Sequence, residues 1–137
     1  MNIGGEELRL YLPIGKPTGR KPMQAAAIVL GLAALGGLTL ATIRMMGTPR
    51  PPTWMALGHG VIALAGLGLL IKETNNPGIP QLAQVALAVI FLAALGGATL
   101  FLGFHMRQRA LPILLVVGHG LIAATGYVLL LVAIFRG

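Results

Sequence analysis

The chain has 137 residues, of which 56% are hydrophobic and only 9% are charged. Soluble domains usually carry about 25% charged residues, so this composition excludes an ordinary soluble protein, and the net charge of +7 without aromatic-rich basic patches does not indicate nucleic-acid binding. The absence of cysteine excludes disulfides, thiolate metal ligands and covalent c-type haem attachment.

Residues 1–22 form a polar N-terminal arm that contains three prolines and four glycines, which argue against a long helix. Two interpretations of the arm are open. It is either a frayed tail or an extended segment that lies on a partner subunit, for which its leucines, Tyr11 and Ile14 supply apolar side chains.

Four apolar segments follow, each long enough to cross a bilayer, which takes about 20 residues. Pro51, Pro52 and Pro112 are predicted to open the second and fourth segments, because proline is tolerated in the first turn of a helix. The short connections predict an all-α membrane protein, an up-down-up-down bundle in one transmembrane domain that covers residues 23–137. The predicted spans run from about 23 to 46, 53 to 71, 81 to 106 and 112 to 135, and residues 72–80 are predicted to form a turn.

The first pair of spans recurs in the second pair. Residues 25–71 and 85–131 are identical at 20 of 47 positions without a gap, and the motifs LAALGG and GHG occur in both copies, 60 positions apart. Because equivalent spans run in the same direction, the repeat is predicted to be parallel, with a pseudo-two-fold axis along the membrane normal.

Basic residues favour one orientation of the bundle. Six lie on the side of the N-terminus and four on the other side, which predicts a cytoplasmic N-terminus in a bacterial inner membrane. All three acidic residues, Glu6, Glu7 and Glu73, are predicted to lie outside the spans. The sequence therefore shows no proton relay and no catalytic constellation.

Each copy carries one histidine within an apolar span, His59 in the first and His119 in the second. At 1.5 Å per residue both lie roughly 10 Å below the same membrane face, where a polar side chain is costly and marks function by default. Small residues flank each histidine or share its helix face: Gly58, Gly60, Ala63 and Gly66 around His59, and Gly118, Gly120, Ala123 and Gly126 around His119.

We predict from this pattern that His59 and His119 ligate one haem b, because neutral imidazole is an ordinary axial ligand and small residues leave room for a flat macrocycle. Two axial histidines leave no open coordination position, which indicates electron transfer. The arginines near the same face are the predicted partners of the propionates, since guanidinium matches carboxylate geometry: Arg44, Arg50, Arg107 and Arg109.

Other interpretations of the histidines remain open. Each could ligate the magnesium of a chlorophyll-type pigment, or both could pack helices in a non-redox accessory or assembly subunit without a cofactor. His105, which matches Met45 in the first copy, is either an interfacial residue at a helix C-terminus or a contact to a propionate, a quinone carbonyl or a metal. Thr39 and Thr99, also paired by the repeat, are expected to bond back to their own helices, or else to a cofactor or a histidine N–H.

Four helices, internal histidines and basic loops together resemble small b-type membrane cytochromes and haem-bearing membrane anchor subunits of respiratory dehydrogenases. The resemblance covers residues 23–135 in architecture, and His59 and His119 at the level of residues. It implies a haem between helices that exchanges electrons with quinone or with a partner subunit of a larger membrane complex. Those families often have two or more histidine pairs, so the single pair here implies one haem.

Overall fold

The computed structural model describes residues 20–136 and shows four helical spans that are long and apolar enough to cross a membrane. The predicted all-α architecture of four membrane-spanning helices is confirmed. The predicted arm lies outside the described residues as far as residue 19, and both interpretations of it stay open. In chain order the elements are α1 (Arg20–Met45), α2 (Thr53–Thr74), α3 (Gln81–Ala98), a π-helical segment (Thr99–His105) and α4 (Ile113–Arg136).

The helices pack in a ring in which α2 and α4 stand diagonally. Helix α1 lies along α2 and α3 along α4, and the two hairpins meet through α1 with α4 and through α2 with α3. A proline immediately precedes α2, α3 and α4 in turn, at Pro52, Pro80 and Pro112. Proline suits this position because the N–H group that it lacks would have no partner in the first turn.

The tightest packing lies at the end of the bundle where α1 and α3 begin. The side chain of Leu30 lies against Gly66 and that of Ile90 against Gly126, and a Cβ atom on either glycine would stand 2.7 Å from its neighbour's side chain. Such close approach through small residues stabilises membrane helices by van der Waals contact. The buried cluster comprises Met23, Ala26, Ala27, Leu30, Leu67, Leu70, Ala83, Ala86, Ile90, Leu130, Ala133 and Ile134.

The opposite end of the bundle is packed more loosely, and large apolar side chains such as Leu38, Val61 and Leu114 are exposed on the outside, where a bilayer would contact them. The few apolar side chains buried toward that end are Ala33, Ala93, Leu100 and Val116.

The connection between α2 and α3 differs from the prediction. Residues 72–74 are helical, so the predicted turn begins too early, and Glu73 lies in the last turn of α2 and not outside the span. Glu73 is only 6% exposed, and its Oε2 atom accepts a hydrogen bond from Asn76 Nδ2 at 3.1 Å. The helix continues because no helix-breaking residue occurs before residues 75–77.

The π-helical segment is a further difference between the hairpins. Gly47, just after α1, lies in the left-handed region (φ 101°), and Gln108, just after the π-helical segment, lies there too (φ 58°). At both ends the N–H groups of this residue and the next bond back to the last helical turn, which is the Schellman arrangement. The two caps are 61 positions apart, although Pro52 and Pro112 are 60 apart, so the third span holds one additional residue and the loop after it one fewer.

A π turn accommodates such a residue through bonds from residue i to residue i−5, as between Met106 N and Phe101 O at 2.8 Å. In this register His105 takes the place of Arg44, and not that of Met45 as the ungapped repeat predicts.

These two residues connect the hairpins at the loosely packed end. Arg44 Nε donates to the carbonyl oxygen of Leu111, just before α4, at 2.7 Å. His105 Nε2 lies 3.0 Å from Thr53 Oγ1, at the start of α2. The last turn of each hairpin's first span therefore holds the entry of the other hairpin's second helix.

Candidate functional site: a pair of membrane histidines

Each histidine is held by a backbone carbonyl of its own hairpin. His59 Nδ1 lies 2.9 Å from the carbonyl oxygen of Ala33, and His119 Nδ1 lies 2.9 Å from that of Ala93. A carbonyl oxygen can only accept, so in a neutral ring Nδ1 carries the hydrogen and Nε2 keeps its lone pair. A hydrogen bond of this kind fixes both tautomer and ring orientation in metal-ligating histidines.

The repeated LAALGG motif makes this approach possible. A Cβ atom on Gly37 would stand 2.9 Å from His59 Cε1, and one on Gly97 would stand 3.1 Å from His119 Cε1. Any larger residue in these places would push the ring away from the carbonyl. The repeat marks these glycines in the sequence, but it does not predict their role under the rings.

The two rings meet between the diagonal helices. Their centroids are 6.2 Å apart and their planes are nearly perpendicular, at 85°. The structure therefore brings together the two histidines that the sequence repeat singled out. Both rings are half-buried, and no described residue hydrogen-bonds Nε2 of either ring.

The glycines that flank the histidines have no packing role within the described bundle. A Cβ atom on Gly58, Gly60, Gly118 or Gly120 would meet nothing within 4 Å beyond its own helix and chain neighbours. By contrast, Gly66 and Gly126, one turn further from the histidines than Ala63 and Ala123, lie in tight helix contacts. The small-residue pattern thus divides into glycines that the fold requires and glycines that only leave space beside a histidine.

A cavity of about 280 Å³ opens beside His119 between α3 and α4. Its walls are mainly apolar and include Ala93, Gly96, Thr99 and Gly118. The hydroxyls of Thr39 and Thr99 bond back to Leu35 and Leu95 at 2.9 Å, as expected for threonine in a membrane helix. Thr99 therefore lines the cavity, and its hydroxyl bonds to its own helix and not to a histidine.

The predicted propionate partners lie in the last turn of α1 and in the two loops at this end of the bundle, and they are not equivalent. Arg44 bonds to Leu111, and Arg50 Nη1 donates to Gln108 Oε1 across the two loops. Arg107 and Arg109 are exposed.

His105 is 4% exposed and stacks on Phe101, with centroids 5.4 Å apart. It is therefore a buried group that connects helices at the end of its span, and its predicted contact to a propionate, a quinone carbonyl or a metal stays a prediction. The signal that could have revealed this, one inserted residue, is hidden in the ungapped repeat.

Among residues 20–136, no group of three or more His, Cys, Asp or Glu side chains could hold a metal ion. Comparison with protein-family models, with curated proteins and with solved structures finds no match to this chain. Function is therefore argued from the geometry of the histidine pair.

Proposed function

We propose that the protein is a haem b-binding electron-transfer subunit of a larger membrane complex, with His59 and His119 as the two axial ligands. The observation that carries the proposal is the pair of carbonyl-held rings with centroids 6.2 Å apart. Bonds between a metal and an imidazole nitrogen are about 2.0–2.1 Å long, so two imidazoles in line across one metal ion have centroids roughly 6 Å apart. The measured separation fits one shared metal ion.

The donor set favours a macrocycle over a bare ion. Structural zinc sites need four protein ligands, commonly cysteine or histidine, and two histidines without a third candidate ligand in the described part of the chain do not meet that need. A porphyrin brings four equatorial nitrogens itself, so two axial histidines complete the six positions. The open space beside Gly58, Gly60, Gly118 and Gly120 agrees with a flat group next to each ring.

The chain's own residues then perform three tasks. The carbonyls of Ala33 and Ala93 orient the rings and keep Nε2 unprotonated. Gly37 and Gly97 let the rings lie against the neighbouring helices. The buried cluster at the tightly packed end of the bundle excludes water from that side of the histidine pair. The bound haem would supply reversible one-electron exchange, without an open position for oxygen.

The geometry argues against a pair of pigments in this place. Two stacked macrocycles, one ligated by each histidine, would lie about 3.5 Å apart between the two imidazole rings. The imidazole centroid distance of 6.2 Å leaves no room for this additional layer. The non-redox accessory subunit remains the second candidate, because the bonds to Ala33 and Ala93 also satisfy one nitrogen of each ring without any ligand.

An absorption spectrum separates these candidates. We expect protein purified from haem-replete cells to show a Soret band and a reduced-minus-oxidised α-band, and to lose both in His59→Ala and His119→Ala. His105→Asn is the matched control, because it removes a histidine outside the pair. A fully folded preparation without any haem band, or a band that persists in both ligand variants, would refute the assignment.

The redox partner is proposed to be another subunit of the complex or quinone, and the membrane a bacterial inner membrane with the N-terminus in the cytoplasm. Because the chain has no cysteine, single cysteines can be introduced without background. Asn76→Cys in the α2–α3 loop should be protected from an impermeant thiol reagent in intact cells, and Thr48→Cys in the α1–α2 loop should be labelled. The reverse pattern would invert the orientation.

A further inference from the structure

A second cavity, of about 320 Å³, lies at the end of the bundle where α2 begins, apart from the histidine pair. Its wall combines a cationic, a hydroxyl and an imidazole side chain with the rigid rings of a proline-rich loop. The lining residues are Pro49, Arg50, Pro51, Pro52, Thr53 and His105.

The polar groups of this cavity are held in place by the protein. His105 is buried and bonds to Thr53. The guanidinium of Arg50 is anchored through Nη1 to Gln108, which leaves its other N–H groups free to bind, since guanidinium has five donors. A cation that is already oriented loses less entropy on binding, and the planar fork of guanidinium matches phosphate.

The local charge is positive without compensation. The segments 44–52 and 106–112 contain four arginines and no acidic residue. An anion in the cavity would therefore meet no carboxylate from either loop, and the adjoining N-terminus of α2 adds to the attraction.

The depth of the cavity indicates a lipid. The next residue after Thr53 is Trp54, the chain's single tryptophan, which is 74% exposed. It lies in the first turn of α2, at the end of an apolar span. Exposed tryptophan at the end of a membrane span is typical of the headgroup level. A cationic pocket at this level attracts the phosphates of anionic lipids.

We infer that the cavity formed by residues 49–53 and His105 binds the phosphate group of an anionic membrane lipid, with Arg50 as its principal cationic contact. The site is separate from the proposed haem ligands and does not depend on them.

Trp54 provides the probe for a test on the full-length protein. Tryptophan fluorescence is measured in neutral detergent micelles with phosphatidylglycerol or phosphatidylcholine that carries brominated acyl chains, which quench a nearby indole. We expect phosphatidylglycerol to quench at several-fold lower concentration. Arg50→Gln should weaken its binding by about fivefold or more, whereas Arg109→Gln, which removes an exposed charge outside the cavity wall, should leave the preference intact.

Four outcomes would overturn the inference. They are no preference for phosphatidylglycerol, an equal loss in both arginine variants, displacement by inorganic phosphate as effective as by the unbrominated lipid, and a loss of haem from Arg50→Gln. The second would indicate diffuse surface charge, the third a site for free anions, and the last a propionate contact. If Arg50→Gln does not fold, Arg50→Lys replaces it, with a smaller loss expected because the charge is kept but not the planar fork.

Discussion

The Cε1 atom of His59 lies 2.9 Å from the point where a Cβ atom would stand on Gly37. The absence of a side chain on Gly37 therefore lets the ring pack against α1 while Nδ1 bonds to the carbonyl of Ala33. We expect Gly37→Ala to displace the ring and to lower haem content severalfold, measured as the ratio of Soret to protein absorbance.

Gly68→Ala is the matched control for this variant, because Gly68 is an exposed helical glycine with open space around it. It should leave haem content unchanged. If both variants retained haem equally, the ring position would have no bearing on ligand binding. Gly97→Ala, with a slightly longer contact of 3.1 Å to His119, should show a smaller loss.

A second prediction separates ligand binding from helix packing. Gly58→Leu and Gly118→Leu add bulk where a Cβ atom meets nothing within 4 Å, so neither should destabilise the bundle. Replacement of a helical glycine is expected to stabilise a helix by up to roughly 1 kcal/mol. Haem content should nevertheless fall, because the added side chains occupy space beside the ligands. Thermal unfolding in detergent measures the stability of the bundle, and the Soret band measures haem content. A stable variant that keeps full haem would contradict the proposal that haem occupies the space beside these glycines.

The third prediction concerns the tightly packed end. Gly66→Val should destabilise the protein by about 1–3 kcal/mol, since the new side chain would overlap Leu30 and force α1 and α2 apart. Gly126→Val should act in the same way through Ile90. Reversible unfolding in mixed micelles gives the change in free energy. A double variant, Leu30→Ala with Gly66→Val, should recover part of it; an unchanged or larger loss would mean that the Leu30 contact is not its cause.

The fourth prediction tests the cap of α1. Gly47 has φ 101°, which L residues adopt only with strain, so Gly47→Ala should cost about 1–2 kcal/mol. The same measurement on Gly68→Ala, an ordinary helical position, provides the reference. Equal values for the two would show that the cap does not constrain the loop.

Much of this architecture can be read from the chain itself. The four spans follow from hydropathy, and Pro52, Pro80 and Pro112 mark where helices begin. The facing histidines follow from the repeat, because like helices in a bundle bring like residues together. Their bond to Ala33 and Ala93 does not, since it depends on how far two backbones approach over Gly37 and Gly97.

The features that escaped prediction have physical causes. One additional residue in the third span, absorbed by a π turn, places His105 inside the bundle, and an equal shortening of the next loop restores the register at Pro112. Gln108 adopts the left-handed cap conformation that a sequence pattern assigns to glycine. Glu73 is buried because α2 continues one turn past the last apolar residue before Asn75.

The buried cluster at the other end of the bundle has a consequence for access to the histidines. Its members, from Met23 to Ile134, contain no acid, base or amide side chain, and Tyr127, which packs against them, brings a phenolic hydroxyl. If His59 and His119 hold the proposed haem, this cluster would separate it from the face where Glu73 lies.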